Sequence, residues 1–337
     1  MNDSVLLEVK KLKKYFPAGG DWFAQMFDHR QIKAVDEISF TISKGTTLGL
    51  VGESGSGKTT TGRVIARLTD PTSGQVIYHG KDLSSLRGKA IKRMRRSLQM
   101  IFQDPSSSLN RRKTAGQIVS EPLHIHGLVD KKGIEARLTE VMELAGLSAR
   151  FLNRYPHEMS GGQRQRVGIA RALAVDPEFI ICDEPVTALD VSIQAQILNL
   201  LMDLQEELGL TYLFIAHDLS VVKHVSDRVA VMYLGKIVEI ADTDTLFSDP
   251  KHPYTRALLA AVPKPDPKAE ERKVLHGEVP SPISPPAGCR FHPRCPEIVG
   301  EVCRKKEPKE VTLSNGVQVS CHLYQVDAGM KGDEEGE

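Results

Sequence analysis

No apolar run in this 337-residue sequence approaches the roughly 18 residues that a membrane-crossing helix requires. The N-terminus, Met1-Asn2-Asp3-Ser4, lacks the basic-then-apolar layout of a secretory signal. The expectation is a cytosolic protein, for which any membrane role must come through a partner. Net charge is close to zero, formally +1, so no strong field favours nucleic acid or anionic lipid. The one basic run, Lys89 to Arg96, reads as a solvated helix face. Cysteine is scarce: five residues in a cytosolic chain argue against structural disulfides. No internal repeat is visible.

What is there is ordinary in bulk. Hydrophobic residues make up 40% of the chain, as in a globular protein, and the length suits one large domain plus a smaller one. Val5 to Phe16 and Ile38 to Ile42 read as strands of an N-terminal sheet, with Pro17 to Lys33 a surface loop between them. Thr46 to Val51 reads as a buried strand, followed by a helix that turns Val64, Ile65 and Leu68 inward. From Asp104 to Ser160 the pattern changes to a helical insertion, where Ile134, Leu138, Val141 and Met142 recur at helix spacing. Strands return at Phe179 to Cys182 and Tyr212 to Ala216. Between them a helix carries Ile193, Ile197, Leu200, Leu201, Leu204 and Leu208 on one face. This alternation implies a parallel sheet in an α/β fold. Three strands end at chemically loaded residues, Gly52, Asp183 and His217, and ligands of open α/β sheets sit at such ends, so the three should converge.

Gly52-Glu53-Ser54-Gly55-Ser56-Gly57-Lys58-Thr59-Thr60 fits a phosphate-cradling P-loop at every fixed position. Its glycines free backbone N–H groups to face phosphate oxygens, and the helix that follows presents its positive end. Lys58 would neutralise the β- and γ-phosphates of ATP, and the Thr59 hydroxyl would ligate Mg²⁺. Asp183 and Glu184 close an apolar strand with two carboxylates. Asp183 suits a Mg²⁺ contact, and Glu184 can polarise an attacking water. Cys182 beside them reads as a small buried hydrophobe.

With these residues in place the chain resembles the ATP-binding-cassette (ABC) ATPases over nearly its whole length. Tyr15 resembles the aromatic that stacks on adenine, and Gln103 the glutamine that touches Mg²⁺ and water and reports to the membrane partner. Ser160-Gly161-Gly162-Gln163 resembles the family signature, which binds the ATP of a second subunit. Asp190, in Ala188-Leu189-Asp190, resembles the loop that links the two sites, and His217 resembles the γ-phosphate switch. Met159 stands where the family usually has leucine. The resemblance implies a P-loop, RecA-like core with an N-terminal antiparallel β subdomain and a helical signature subdomain at about 104–165, all within residues 1–262. It also implies that MgATP joins two ATPase subunits, with Glu184 and His217 catalytic and Mg²⁺ held by Thr59, Gln103 and Asp183.

Seven of the 19 prolines fall within Pro263 to Pro286, which reads as a linker (263–286) before a small cysteine-bearing module (287–325) and a charged tail (326–337). His252 to Leu259, Gly277 to Pro282, Gly288 to Pro296 and Phe102 to Asn110 resemble the ATPase subunits of dipeptide and oligopeptide importers. Arg111 departs from a common proline there. The partners implied are a second ATPase subunit, two permease subunits and, indirectly, an extracytoplasmic binding protein, with no nucleic acid. The location implied is peripheral, on the cytoplasmic face of the membrane. Oligosaccharide or nickel cargo and a soluble role on DNA or ribosomes are the alternatives.

Cys289, Cys295, Cys303 and Cys321 are separated by 5, 7 and 17 residues, without a C-x₂-C zinc spacing. Four thiolates can hold a [4Fe–4S] cluster or Zn²⁺. The resemblance favours the cluster over Zn²⁺ and over free thiols, as a staple for a module too small for its own core. His322 is an alternative ligand or a bystander.

Overall fold

The computed structural model describes residues 5–18, 30–104, 108–128, 133–261 and 277–325. Two sheets organise it. The first is antiparallel and four-stranded, in the order β2-β1-β4-β5, from β1 (Val5–Pro17), β2 (Gln31–Ser43), β4 (Ser73–Tyr78) and β5 (Lys81–Asp82). This is the expected N-terminal β subdomain, with one correction. β2 starts seven residues earlier than Ile38, because the far half of β1 needs a partner: Tyr15 faces Lys33 and Phe16 faces Ile32. The polar run there hides the strand from a hydrophobicity reading. The middle of the expected Pro17–Lys33 loop lies outside the described residues.

The second sheet has eight strands. These are β3 (Thr47–Val51), β6 (Leu98–Ile101), β7 (Phe179–Asp183), β8 (Thr211–Ala216), β9 (Arg228–Tyr233), β10 (Lys236–Asp242), β11 (Val311–Thr312) and β12 (Gln318–Val319). Their order is β11-β12-β10-β9-β3-β8-β7-β6. The half from β9 through β3, β8 and β7 to β6 is parallel, as the strand–helix alternation predicts. β3, β7 and β8 are buried at every residue, which explains their unbroken apolar runs: both faces are covered.

Helices Ala115–His126 and Ile134–Leu144 form the helical insertion, with Leu138, Val141 and Met142 buried as expected. Thr114 and Gln117 make a reciprocal capping box at the start of the first helix, and Gly127 ends it in the left-handed conformation. The helix Gly161–Leu173 begins at the rim of this insertion and runs down to the sheet, ending in buried Val167, Ala170 and Leu173. The basic run lies on the helix Gly88–Ser97, where only Met94 is buried.

The C-terminal module departs from the expectation of a separate unit. β12 pairs with β10, Glu239 facing Val319, so the module extends the main sheet. Phe291, Val317, Val319 and Cys321 belong to the same core as Tyr233 and Tyr254. Burying a side chain such as Phe291 or Val319 contributes roughly 1.5–3 kcal/mol. The module is therefore small yet shares a large core, which removes the argument that it needs a metal staple. The tail 326–337 and most of the linker lie outside the described residues. The linker's last part, at Pro282, packs on the fold: the Lys33 N–H donates to the Pro282 carbonyl at 3.2 Å.

Candidate nucleotide site

β3 delivers the chain into the loop Gly52–Gly57. Gly57 adopts φ +106° and Gly52 φ +152°. A Cβ on Gly57 would lie 2.0 Å from the Ala34 carbonyl oxygen, and one on Gly52 would lie 2.1 Å from that of Met232. Backbone atoms cannot yield as a flexible side chain can, so these two positions admit glycine alone. The helix Lys58–Ile65 starts directly at Gly57.

Lys58 is only 4% exposed. Its Nζ donates to the Gly52 carbonyl at 2.8 Å and the Glu53 carbonyl at 3.1 Å. Burial lowers its pKa, opposed by the charges of Glu184, Asp183 and Glu53. The Thr59 hydroxyl donates to Asp183 Oδ1 at 2.8 Å. Burial raises the Asp183 carboxyl, partly offset by the Thr59 bond and by Arg63. A buried carboxylate beside a hydroxyl in this state favours a cation. Magnesium at nucleotide sites takes only one or two protein carboxylates, with phosphate and water as the other ligands.

Glu184 follows β7 in the left-handed conformation, φ +46°, uncommon for a residue with a side chain. Its N–H is anchored on the Ile215 carbonyl at 2.9 Å. One carboxylate oxygen, Oε2, accepts from Gln103 Nε2 at 2.9 Å and from the Thr187 hydroxyl at 3.1 Å. The same oxygen meets His217 Nδ1 at 3.2 Å. Residues just past β6, β7 and β8, Gln103, Glu184 and His217, thus meet at one atom. Of the three strand-end residues expected to converge, His217 lines the cavity described next, while Gly52 and Asp183 do not.

Ser54, Gly55, Gly57, Lys58, Thr59 and Thr60 line a cavity of about 430 Å³ with Gln103, Glu184 and His217. Three residues not expected at the site, Ile32, Ala34 and Pro282, complete its wall. Tyr15 does not line it. The Tyr15 hydroxyl donates to Asp36, and the Lys33 ammonium sits 6.0 Å from the ring centre. Ser56 is buried beneath the loop, where its backbone carbonyl accepts from the Gly235 N–H at 2.8 Å. The Glu53 carboxylate is held by Arg294.

The signature residues do not line this cavity. Ser160 caps the helix Gly161–Leu173: Ser160 Oγ accepts from the Gln163 N–H, and Gln163 Oε1 accepts from the Ser160 N–H. That leaves the Ser160 hydroxyl hydrogen for another acceptor. Gly162 packs so tightly that a Cβ would come within 2.5 Å of Ile193. Asp190 caps the helix Val191–Leu208 through the Ile193 N–H at 3.0 Å. Signature and Asp190 loop are thus one packed unit. Met159 is buried, as an apolar residue there should be.

The five cysteines are free thiols, and Cys182 is fully buried. Burial pushes Cys289 up to about 11 and Cys321 to about 12, and the neighbouring cysteines add to both. Among the described residues no group of three or more His, Cys, Asp or Glu side chains is arranged to hold a metal ion. The expected [4Fe–4S] or Zn²⁺ site is therefore not supported by the geometry. His322 is buried, with Nε2 on the Lys306 carbonyl at 2.8 Å. No helix of the described residues is long and apolar enough to cross a membrane.

Residues 35–187 match the family model described as ABC transporter. Residues 238–303 match that of the oligopeptide/dipeptide transporter C-terminal region. The putative oligopeptide transport ATP-binding protein YkfD of Bacillus subtilis is 53% identical over 326 residues, covering 95% of this chain and 96% of its own. The oligopeptide transport ATP-binding protein AppF of the same organism is 50% identical, covering 96% and 98%. Among solved structures, the dimeric bacterial ABC transporter cassette MJ0796 superposes with a TM-score of 0.62 at 30% identity, covering 71% of this chain and 99% of its own.

Proposed function

Because this chain belongs to the ABC transporter family of ATP-binding proteins, we propose that it hydrolyses MgATP to power uptake of short peptides through a membrane permease. The observation that carries the reading is the meeting of Gln103, Glu184 and His217 at one carboxylate oxygen, above Lys58 and Thr59 in the same cavity. Lys58 binds the phosphates. Thr59, Gln103 and Asp183 are the residues that would hold Mg²⁺, which supplies charge neutralisation at the transferred phosphoryl group. Glu184 accepts the proton of the attacking water, and His217 orients the γ-phosphate beside it. Tyr15 is the aromatic proposed to face the base.

The signature Ser160-Gly161-Gly162-Gln163 lies away from this chain's own cavity, so it serves the ATP of a second subunit, with Asp190 behind it. Two ATPase subunits then close around nucleotide and open after hydrolysis, a two-state device. Such a subunit works peripherally at the cytoplasmic face, under two permease subunits, with peptide handed over by an extracytoplasmic binding protein. Peptide cargo is favoured over oligosaccharide or nickel by the names of the relatives. For Cys289, Cys295, Cys303 and Cys321 the narrower proposal is a [4Fe–4S] cluster, with Zn²⁺ the alternative. It rests on the resemblance to importer ATPase subunits, and the arrangement of the thiols does not support it. Iron, sulfide and zinc analysis of anaerobically purified protein decides it, and protein free of all three contradicts both.

The function is tested by co-expressing the chain with neighbouring permease genes and assaying ATP hydrolysis in proteoliposomes. Stimulation by a peptide-loaded binding protein is the expected result. Hydrolysis stimulated only by a sugar or a metal ion would contradict the cargo, and no hydrolysis would contradict the reading as a whole.

A further inference from the structure

Glu53 poses an electrostatic problem. It places a carboxylate inside a loop whose purpose is to bind anions, close enough to influence Lys58. Left free, that carboxylate would repel the phosphates and compete for the lysine. The structure meets this from the far end of the chain. Arg294, 241 residues away, closes both terminal guanidinium nitrogens on Glu53: Nη1 donates to Oε2 at 2.8 Å and Nη2 to Oε1 at 3.1 Å. The Arg294 side chain is only 5% exposed, and its guanidinium lies 6.0 Å from the centre of the Tyr233 ring. Fully buried Tyr254 adds a second tether, its hydroxyl accepting the Glu53 N–H at 2.9 Å. A planar fork of this kind fixes direction as well as charge, which a lysine cannot reproduce.

The same short segment reaches the nucleotide region again. Arg290 forms a buried pair with Asp36, the acceptor of the Tyr15 hydroxyl, and Pro282 forms part of the cavity wall. We propose that Arg294 is a positioning residue for nucleotide binding. It neutralises Glu53 and holds it turned away from the phosphate loop, so the C-terminal segment sets the affinity of the P-loop for MgATP. This rests on the reading of the cavity as an ATP site.

The test uses the full chain and reads KM for MgATP and kcat by phosphate release. Arg294→Ala should raise KM about tenfold with kcat changed less than about twofold, since loss of a buried charge-assisted pair acts on binding. Arg294→Lys, which keeps the charge but loses the fork, should raise KM by less, about threefold. The decisive variant pairs Arg294→Ala with Glu53→Gln. Removing the anion with its cation should bring KM back to within about threefold of wild type, which a purely structural arginine would not allow. Arg256→Ala breaks the Arg256–Glu297 pair, another tie of the same segment, and should leave KM unmoved. If Arg294→Ala does not fold, Arg294→Lys carries the test with its smaller expected rise in KM. An unchanged KM in the foldable Arg294 variant, or a double variant no better than the single, overturns the inference. Wild-type protein that hydrolyses no ATP overturns the underlying reading with it; wild-type hydrolysis with unmoved Arg294 variants overturns this inference alone.

Discussion

Glu184→Gln separates chemistry from binding at this site. The Glu184 side chain is 12% exposed, and its Oε2 gathers Gln103, Thr187 and His217. Glutamine keeps the size and one acceptor oxygen, so the amides and hydroxyl around it retain a partner. What disappears is the negative charge and the ability to take a proton from water. A general base contributes about 10²–10⁴-fold to the rate. At about 1.4 kcal/mol per decade, that is roughly 3–5.5 kcal/mol of barrier. Lys58 and Thr59 are untouched, so MgATP affinity should stay within about threefold of wild type, the loss being confined to the transition state. The assay is steady-state phosphate release at saturating MgATP, run beside an equilibrium titration with a fluorescent nucleotide. Turnover within threefold of wild type would refute the role of Glu184. Affinity falling in step with turnover would show that the carboxylate serves binding instead.

Three further outcomes follow from the same geometry. Gly57→Ala forces a side chain against the Ala34 carbonyl in a left-handed backbone and should abolish nucleotide binding, read by the same titration. Glu239, 1% exposed, accepts the N–H groups of Lys251 and His252 at 2.7 and 2.8 Å. Glu239→Ala strands both and should cost about 2–6 kcal/mol in urea unfolding, at roughly 1–3 kcal/mol for each unsatisfied group. Burial raises the Asp183 carboxyl. The stability it contributes is therefore present below the ordinary carboxylate range and lost as pH rises through the raised value. Asp183→Asn should raise the melting temperature of the nucleotide-free protein at neutral pH by about 2–4 °C per kcal/mol recovered and flatten its pH dependence, while abolishing Mg²⁺-dependent hydrolysis.

The candidate nucleotide site was legible because its parts are local. A P-loop is a contiguous strand–loop–helix, and Asp183 and His217 announce themselves as polar ends of apolar strands. Sheet order then sets β8 between β3 and β7, so Lys58, Glu184 and His217, each just past one of the three strand ends, line one cavity. The start of β2 was hidden because Gln31-Ile32-Lys33-Ala34 is held by backbone pairing with β1 rather than by its own hydrophobicity. The C-terminal contacts were hidden for another reason. Arg294 to Glu53 and Arg290 to Asp36 span 241 and 254 residues, and no periodicity reports a partner at that distance. A run of prolines suggested only an extended spacer, whereas Pro282 packs into the nucleotide cavity wall. The family resemblance implied a small module held by a metal staple, whereas β12 borrows the main sheet.

The central claim is that nucleotide is clamped between the Lys58 loop of one chain and the Ser160 helix of another. Light scattering on the Glu184→Gln protein tests it most directly, with and without MgATP. The account predicts a shift from the 37.2 kDa chain to twice that mass on adding ATP, abolished by Ser160→Arg. A monomer that stays monomeric with ATP bound, or a dimer indifferent to Ser160→Arg, would contradict it.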